Sequence, residues 1–271
     1  MAYTRSEITL AGGQVSYIRW GRGPRVIVAL HGYGERALSF THWGNALPEE
    51  YTMYAPDLPL HGSGRWQEDQ PFTVDHLNQL IRRLTSEGQG KVILCGYSMG
   101  GRLCLSYTQS YPEELDRIVL FAPDGLKVNF WYWLATQTRT GNRLFRYTME
   151  HPSWFLGIVR GLGALNLINR GVVKYVHRHL GERAARMDLY RIWTCMRTFR
   201  PDLDAVARKI RESNLQTRLV FGRFDRIIQP SQGYRFEKKL DDSLCQMVEL
   251  SAGHQLLTRE LTPLCLSIIT D

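Results

Sequence analysis

Short, continuous apolar runs alternate with stretches of helical periodicity along both ends of the chain, and this alternation restricts the fold more than any other feature. Arg25–Leu30 (RVIVAL), Lys91–Tyr97 (KVILCGY), Asp116–Ala122 (DRIVLFA) and Arg218–Phe221 (RLVF) have almost no polar face, and Gln246–Leu250 is strand-like too. A strand covered by helices on both sides needs none, so such runs read as buried parallel strands. Between and after them, Val74–Ser86, Ser98–Ser110, Ser231–Leu240 and Arg259–Ile269 read as helices. Strand–helix alternation of this kind predicts an α/β fold, a mostly parallel, doubly wound, twisted sheet flanked by helices. At the start, Glu7–Leu10 and Val15–Trp20 alternate apolar and polar residues around Gly12-Gly13, which predicts a hairpin.

The alternation stops after Ala122 and resumes near Leu215. The stretch between, from about Leu126 to about Phe199, has apolar residues at helical spacing, broken by glycines and by Pro152. It reads as a helical lid inserted into the sheet domain, giving a core of residues 1–124 and 200–271 and a lid of residues 125–199. From Gly125 to Arg200 there are thirteen Lys and Arg against Glu150, Glu182 and Asp188, a net +10 that leaves the rest of the chain at −2, so this stretch holds all of the positive excess. Eleven of the thirteen are Arg, interleaved with Trp, Phe and Tyr. No nucleic-acid-binding module is recognisable in this block, so charge alone does not make it a nucleic-acid interface.

Several classes are excluded by simple counts. The 271 residues, 44% of them hydrophobic, suffice for a full core. Five scattered cysteines (Cys95, Cys104, Cys195, Cys245, Cys265) with no CxxC spacing argue against a disulfide framework and a structural zinc site. The sequence has no run of about 18 apolar residues, the length a bilayer-spanning helix needs. The opening MAYTRSEITLAGGQ has no basic-then-apolar signal segment, so the expectation is a cytoplasmic protein.

The chemistry centres on Gly96-Tyr97-Ser98-Met99-Gly100, which follows a strand-like run and opens a helix-like one. A serine on so tight a strand-to-helix turn needs small neighbours, and the turn raises its Oγ into the open with a helix N-terminus behind it. His31-Gly32-Tyr33-Gly34 follows the strand-like Val26–Leu30. The backbone N–H groups of Tyr33 and Met99 could together form an oxyanion hole. Asp225 ends Gly222-Arg223-Phe224-Asp225 directly after RLVF, and His254 ends Ser251-Ala252-Gly253-His254 after Gln246–Leu250. The chain order Ser98, Asp225, His254 is nucleophile, acid, base, unlike that of the two well-known serine-protease folds.

With GYSMGG, HGYG, DLPLHGSG, GRFDRIIQP and AGHQLL in this order, essentially the whole chain resembles the α/β-hydrolase superfamily, as a serine-nucleophile, lid-containing, carboxylesterase-like member. The resemblance implies Ser98 as nucleophile, Asp225 as acid, His254 as base, and Tyr33 and Met99 amides as oxyanion donors. It implies no cofactor and no metal. Aspartate-nucleophile dehalogenases and epoxide hydrolases of the superfamily do not fit a serine here.

Other residues have blander readings. His31 reads mainly as a brace for its loop and His61 as a turn residue. Asp124 is a second candidate acid, and Cys95 a buried small hydrophobe. Arg102 is either a helix-surface ion pair or an anion contact. His31, Arg102, Trp131 and Trp154 are the candidate substrate contacts.

Three functions compete. The first is hydrolysis of a carboxylic ester or thioester through an acyl-enzyme, on an apolar acyl or an anionic small molecule. The second is carbon–carbon bond cleavage by a lyase or hydrolase on an anionic substrate, since GYSMGGR resembles the elbow of the menaquinone-pathway succinyl-hydroxycyclohexadiene-carboxylate synthase. The third is a non-catalytic binder on the same scaffold. Trp154–Val176 could also touch membrane surfaces weakly, although Gly157, Gly161, Gly163 and Gly171 disfavour a stable interfacial helix. The oligomeric state is not legible.

Overall fold

The computed structural model describes residues 3–85, 90–127, 130–164 and 182–271. It divides into two compact units, Met1–Lys127 with Thr198–Asp271, and Val128–Arg197.

The first unit is built on a nine-stranded sheet. Its strands are β1 (Thr4–Leu10), β2 (Gly13–Gly21), β3 (Arg25–Leu30), β4 (Tyr51–Pro56), β5 (Arg65–Trp66), β6 (Val92–Tyr97), β7 (Leu115–Phe121), β8 (Gln216–Gly222) and β9 (Cys245–Leu250). The order is β1-β2-β4-β3-β6-β7-β8-β9, with β5 paired to β2. β1 and β2 form the antiparallel hairpin read from the sequence, closing with Leu10 opposite Gly13, and β2 also pairs antiparallel with β4. From β4 through β9 every neighbouring pair is parallel. In the middle of the sheet, Ile27–Leu30, Leu94 and Ile118–Phe121 are completely or almost completely buried, as strands covered on both faces must be. The first strand is mostly exposed and carries Arg5 and Glu7, polar side chains that suit an edge.

The helices of this unit include α1 (Thr41–Asn45), α2 (Val74–Leu84) and α3 (Met99–Ser110). Thr73 caps α2, accepting a hydrogen bond from the His76 amide, and the helix buries Leu77, Leu80, Ile81 and Leu84 along one side. The third helix is buried along nearly its whole length.

β4 is absent from the sequence reading. Its YTMYAP run is fully buried, yet it mixes Thr and Tyr with few aliphatic residues. The Thr52 hydroxyl is satisfied by donating to the Gly23 carbonyl at 2.7 Å, so the strand tolerates polar residues that break the apolar pattern.

In the second unit, the described residues form α4 (Phe130–Gln137), α5 (Arg139–Glu150), α6 (Ser153–Ala164) and α7 (Arg183–Cys195). Phe145 packs on Tyr190 and Trp193, joining α5 to α7, and Tyr132 of α4 meets the same Trp193. Back in the first unit, α8 (Leu203–Glu212), α9 (Pro230–Glu237) and α10 (Thr262–Thr270) complete the chain. No helix among the described residues is long and apolar enough to cross a membrane.

Candidate active site

The strand order reverses beside β3, which has β4 on one side and β6 on the other. In open parallel sheets the carboxyl ends of strands at such a switch point frame a crevice. The loop after β3 and the turn after β6 both leave from this point.

At that turn, Ser98 links β6 to α3 with φ 51° and ψ −114°, a backbone conformation that costs a non-glycine residue about 1–3 kcal/mol. Hydrogen bonds hold it there. Its N–H donates to the Phe121 carbonyl at 2.9 Å, and its own carbonyl accepts from the Gly101 and Asp124 amides, each at 2.9 Å. The glycines are required by contact as well as by the turn. A Cβ on Gly96 would lie 2.6 Å from the Gly100 carbonyl oxygen, and one on Gly100 would lie 2.1 Å from the Leu30 carbonyl oxygen. The start of α3 therefore sits directly against the end of β3. Met99 is the first residue of this helix, so its N–H has no acceptor within the helix and lies at the positive end of the helix dipole.

Asp225 and His254 reach this serine from the loops that follow β8 and β9, strands parallel to β6 in the same sheet. The hydroxyl of Ser98 is 3.1 Å from His254 Nε2, and His254 Nδ1 is 2.7 Å from Asp225 Oδ2. The Asp225 side chain is fully buried, whereas that of His254 is about one-fifth exposed. The other oxygen, Oδ1, accepts from the Ile227 and Ile228 amides at 2.7 and 3.0 Å. Both carboxylate oxygens are thus committed, one to the backbone and one to the imidazole, which orients the ring toward the serine. The loops that carry acid and histidine are tied together by the Phe224 N–H donating to the Ala252 carbonyl at 2.9 Å. Tyr97 lies beside the ring and its hydroxyl donates to the His254 carbonyl at 3.2 Å. Burial pushes the Tyr97 hydroxyl pKa well above the ordinary tyrosine value, so it stays protonated as this brace.

His31 is the loop brace that its main sequence reading expects, and only its place among the substrate contacts is corrected. It is fully buried, its Nδ1–H donates to the Gly32 carbonyl at 2.8 Å, and its Nε2 accepts from the Leu58 amide at 2.9 Å. Both nitrogens are occupied by backbone, so it is not a substrate contact. Burial first, and neighbouring His61 second, pull its pKa down to about 3, so the ring is neutral. His61 is buried edge-on to it at 4.9 Å between ring centroids, and accepts from the Gly34 amide at 3.3 Å. Buried Asp57 completes the brace, accepting from Ala37 N–H at 2.7 Å and Ser63 N–H at 3.2 Å. The three side chains hold the loop bearing Tyr33. Asp57 was not singled out in the sequence reading, although its place at the head of DLPLHGSG was the available signal.

Of the two readings of Arg102, the structure shows the ion pair, with only its place on the helix surface corrected. Arg102 is buried rather than on the helix surface, and its Nη1 lies 3.4 Å from Asp124 Oδ2. Asp124, the second candidate acid, is held by this pair and by the Gly125 amide at 2.7 Å. Trp131 and Trp154 belong to the second unit, on α4 and α6, and both are exposed. The stretch named for membrane contact, Trp154–Val176, continues past the end of α6, and its residues from 165 on lie outside the described ones. Cys95 is buried, with a thiol pKa pushed well up by burial. Among the described residues no group of three or more His, Cys, Asp or Glu could hold a metal ion.

A family model described as alpha/beta hydrolase fold matches residues 25–187. Lipase LipV of Mycobacterium tuberculosis is 31% identical over 111 residues, 39% of this chain and 41% of that protein. The chain thus spans about two fifths of the length of such relatives. The 2-hydroxy-6-oxo-6-(2'-aminophenyl)hexa-2,4-dienoic acid hydrolase of Metapseudomonas resinovorans is 25% identical over 253 residues, covering 89% of this chain and 82% of that one. Among solved structures, a thermophilic esterase from Thermogutta terrifontis has a TM-score of 0.69 at 18% identity, covering 98% of this chain and 96% of that one.

Proposed function

The chain belongs to the α/β-hydrolase fold family, and from that premise we propose that it is a serine hydrolase cleaving a carboxylic ester or thioester through an acyl-enzyme. The observation carrying this reading is the unbroken Ser98–His254–Asp225 hydrogen-bond relay. As Ser98 Oγ attacks the substrate carbonyl, its proton passes to His254 Nε2, and Asp225 stabilises the imidazolium through Nδ1–H. The Met99 and Tyr33 amides are assigned to the oxyanion, a contribution of about 3–4 kcal/mol for a single donor in comparable sites. His254 then gives its proton to the departing alcohol or thiol. A water deprotonated by the same imidazole attacks the acyl carbonyl, and collapse releases the acid and restores the Ser98 hydroxyl.

Hydrolysis of a carbon–carbon bond is a second reading, supported by the alignment of the Metapseudomonas resinovorans hydrolase along most of the chain. The deciding experiment is a p-nitrophenyl ester series, from acetate to long acyl chains, beside a 2-hydroxy-6-oxo-dienoate. Turnover of esters that falls by about 10⁴-fold or more in Ser98→Ala supports the first reading. A kcat/KM for the dienoate about a hundredfold above the best ester moves the assignment to the second. Turnover of neither by the wild type would overturn both and leave the binder reading.

A further inference from the structure

The second unit contains an open cavity of about 350 Å³ whose lining includes Arg139, Arg143 and Arg197 and no acidic residue. We infer that this cavity is a binding site for a doubly charged phosphate group, held by these three guanidiniums at the start of α5.

Charge accounting favours an external anion. The unit Val128–Arg197 has eleven Lys and Arg against Glu150, Glu182 and Asp188. Glu150 is paired with Arg146 at 3.0 Å and Asp188 with Arg191 at 3.9 Å, both within their own helices. Among the described residues, none of the three cavity arginines lies within ion-pair distance of a carboxylate.

The placement of the charges runs against the preference of the helix itself. Arg139 is the first residue of α5, where the dipole is positive, and the first turn contains no acid. Arg143 follows at i+4, a spacing at which like charges repel. Arg197 adds a third positive charge to the same cavity from beyond α7. Each arrangement is unfavourable in the free protein and becomes favourable around a dianion, to which guanidinium forks can donate.

The walls are fixed, so the arginines need not organise the site alone. Gln137 Nε2 donates to the Arg197 carbonyl at 2.8 Å, tying the end of α4 to that segment. Asn142 Nδ2 donates to the Ala135 carbonyl at 2.9 Å and Asn142 Oδ1 accepts from the Tyr190 hydroxyl at 3.1 Å. Thr138 caps α5, accepting from the Gly141 amide at 2.9 Å.

The phosphate could belong to a soluble molecule or to a lipid headgroup, and two probes separate these sources. Inorganic pyrophosphate is titrated calorimetrically at low salt, and phosphatidylcholine vesicles with and without phosphatidic acid are tested by co-sedimentation. Arg143→Gln and Arg197→Gln are each expected to weaken binding about tenfold or more, and Arg160→Gln, on exposed α6, less than about twofold. Arg139→Glu is expected to abolish binding and to raise the Tm of the ligand-free protein, a readout that stands even if a Gln variant folds poorly. A response to pyrophosphate alone assigns a soluble phosphate, and a response only to phosphatidic acid assigns a headgroup. Absence of both responses overturns the site. So does an equal loss in Arg160→Gln, which would mean diffuse charge, or a lowered Tm with binding retained in Arg139→Glu.

Discussion

The two units solve different physical problems with the same alphabet. The sheet unit has equal numbers of basic and acidic residues, twenty-three of each, whereas the inserted unit has eleven against three. In the sheet unit Trp20, Trp43 and Trp66 are buried, while in the inserted unit Phe130, Trp131, Trp133 and Trp154 are exposed, Trp131 by 73%. Burial between sheet and helices leaves little freedom, because an unpaired charge or a misplaced methyl there costs several kcal/mol. Exposed helices tolerate both, so charge and aromatic area can be placed there for recognition.

Breaking the relay in the sheet unit should have the largest effect. Asp225→Asn keeps an oxygen for the Ile227 and Ile228 amides but presents an N–H to His254 Nδ1, forcing the wrong tautomer. A kcat loss of about 10⁴-fold with little change in Tm is expected on whichever substrate the wild type turns over. A loss under tenfold would remove Asp225 from the mechanism. Core packing comes next. Trp43→Ala, in the cluster with Phe40 and Phe121, should cost about 3–5 kcal/mol in urea unfolding.

A pH effect follows from His31. Its pKa is about 3 in the folded protein and near the ordinary 6.5 when unfolded, so between these values only the unfolded chain binds the proton. Stability is therefore full above pH 6.5 and falls as pH drops toward 3, by about 1.4 kcal/mol per pH unit from this group. His31→Gln should be less stable at pH 7, through loss of its hydrogen bonds, yet show a shallower decline in acid. Parallel pH curves for the two proteins would contradict the burial of a neutral His31. The smallest effect belongs to the inserted unit: Trp131→Ala should change stability by less than about 0.5 kcal/mol, and a loss as large as that for Trp43 would erase the contrast between the units.

The parallel strands, the hairpin and the serine turn were legible in the sequence because each has a local cause. Buried strands require continuous apolar runs, a hairpin requires its glycines, and the elbow requires small residues at Gly96 and Gly100 for contacts made within a few residues or with the adjacent strand. β4 was not legible, since the hydroxyl of Thr52 finds its partner at Gly23, 29 positions earlier. The roles of the eight histidines were not separable by local pattern either. His31 and His61 follow strands or sit in glycine-rich turns much as His254 does. Long-range packing alone buries the first two among backbone groups and leaves His254 between a buried carboxylate and Ser98, 156 residues away in the chain. Sequence determines what local sterics and burial demand. The tertiary structure decides which polar groups meet, because a hydrogen bond depends on distances that residue order does not contain.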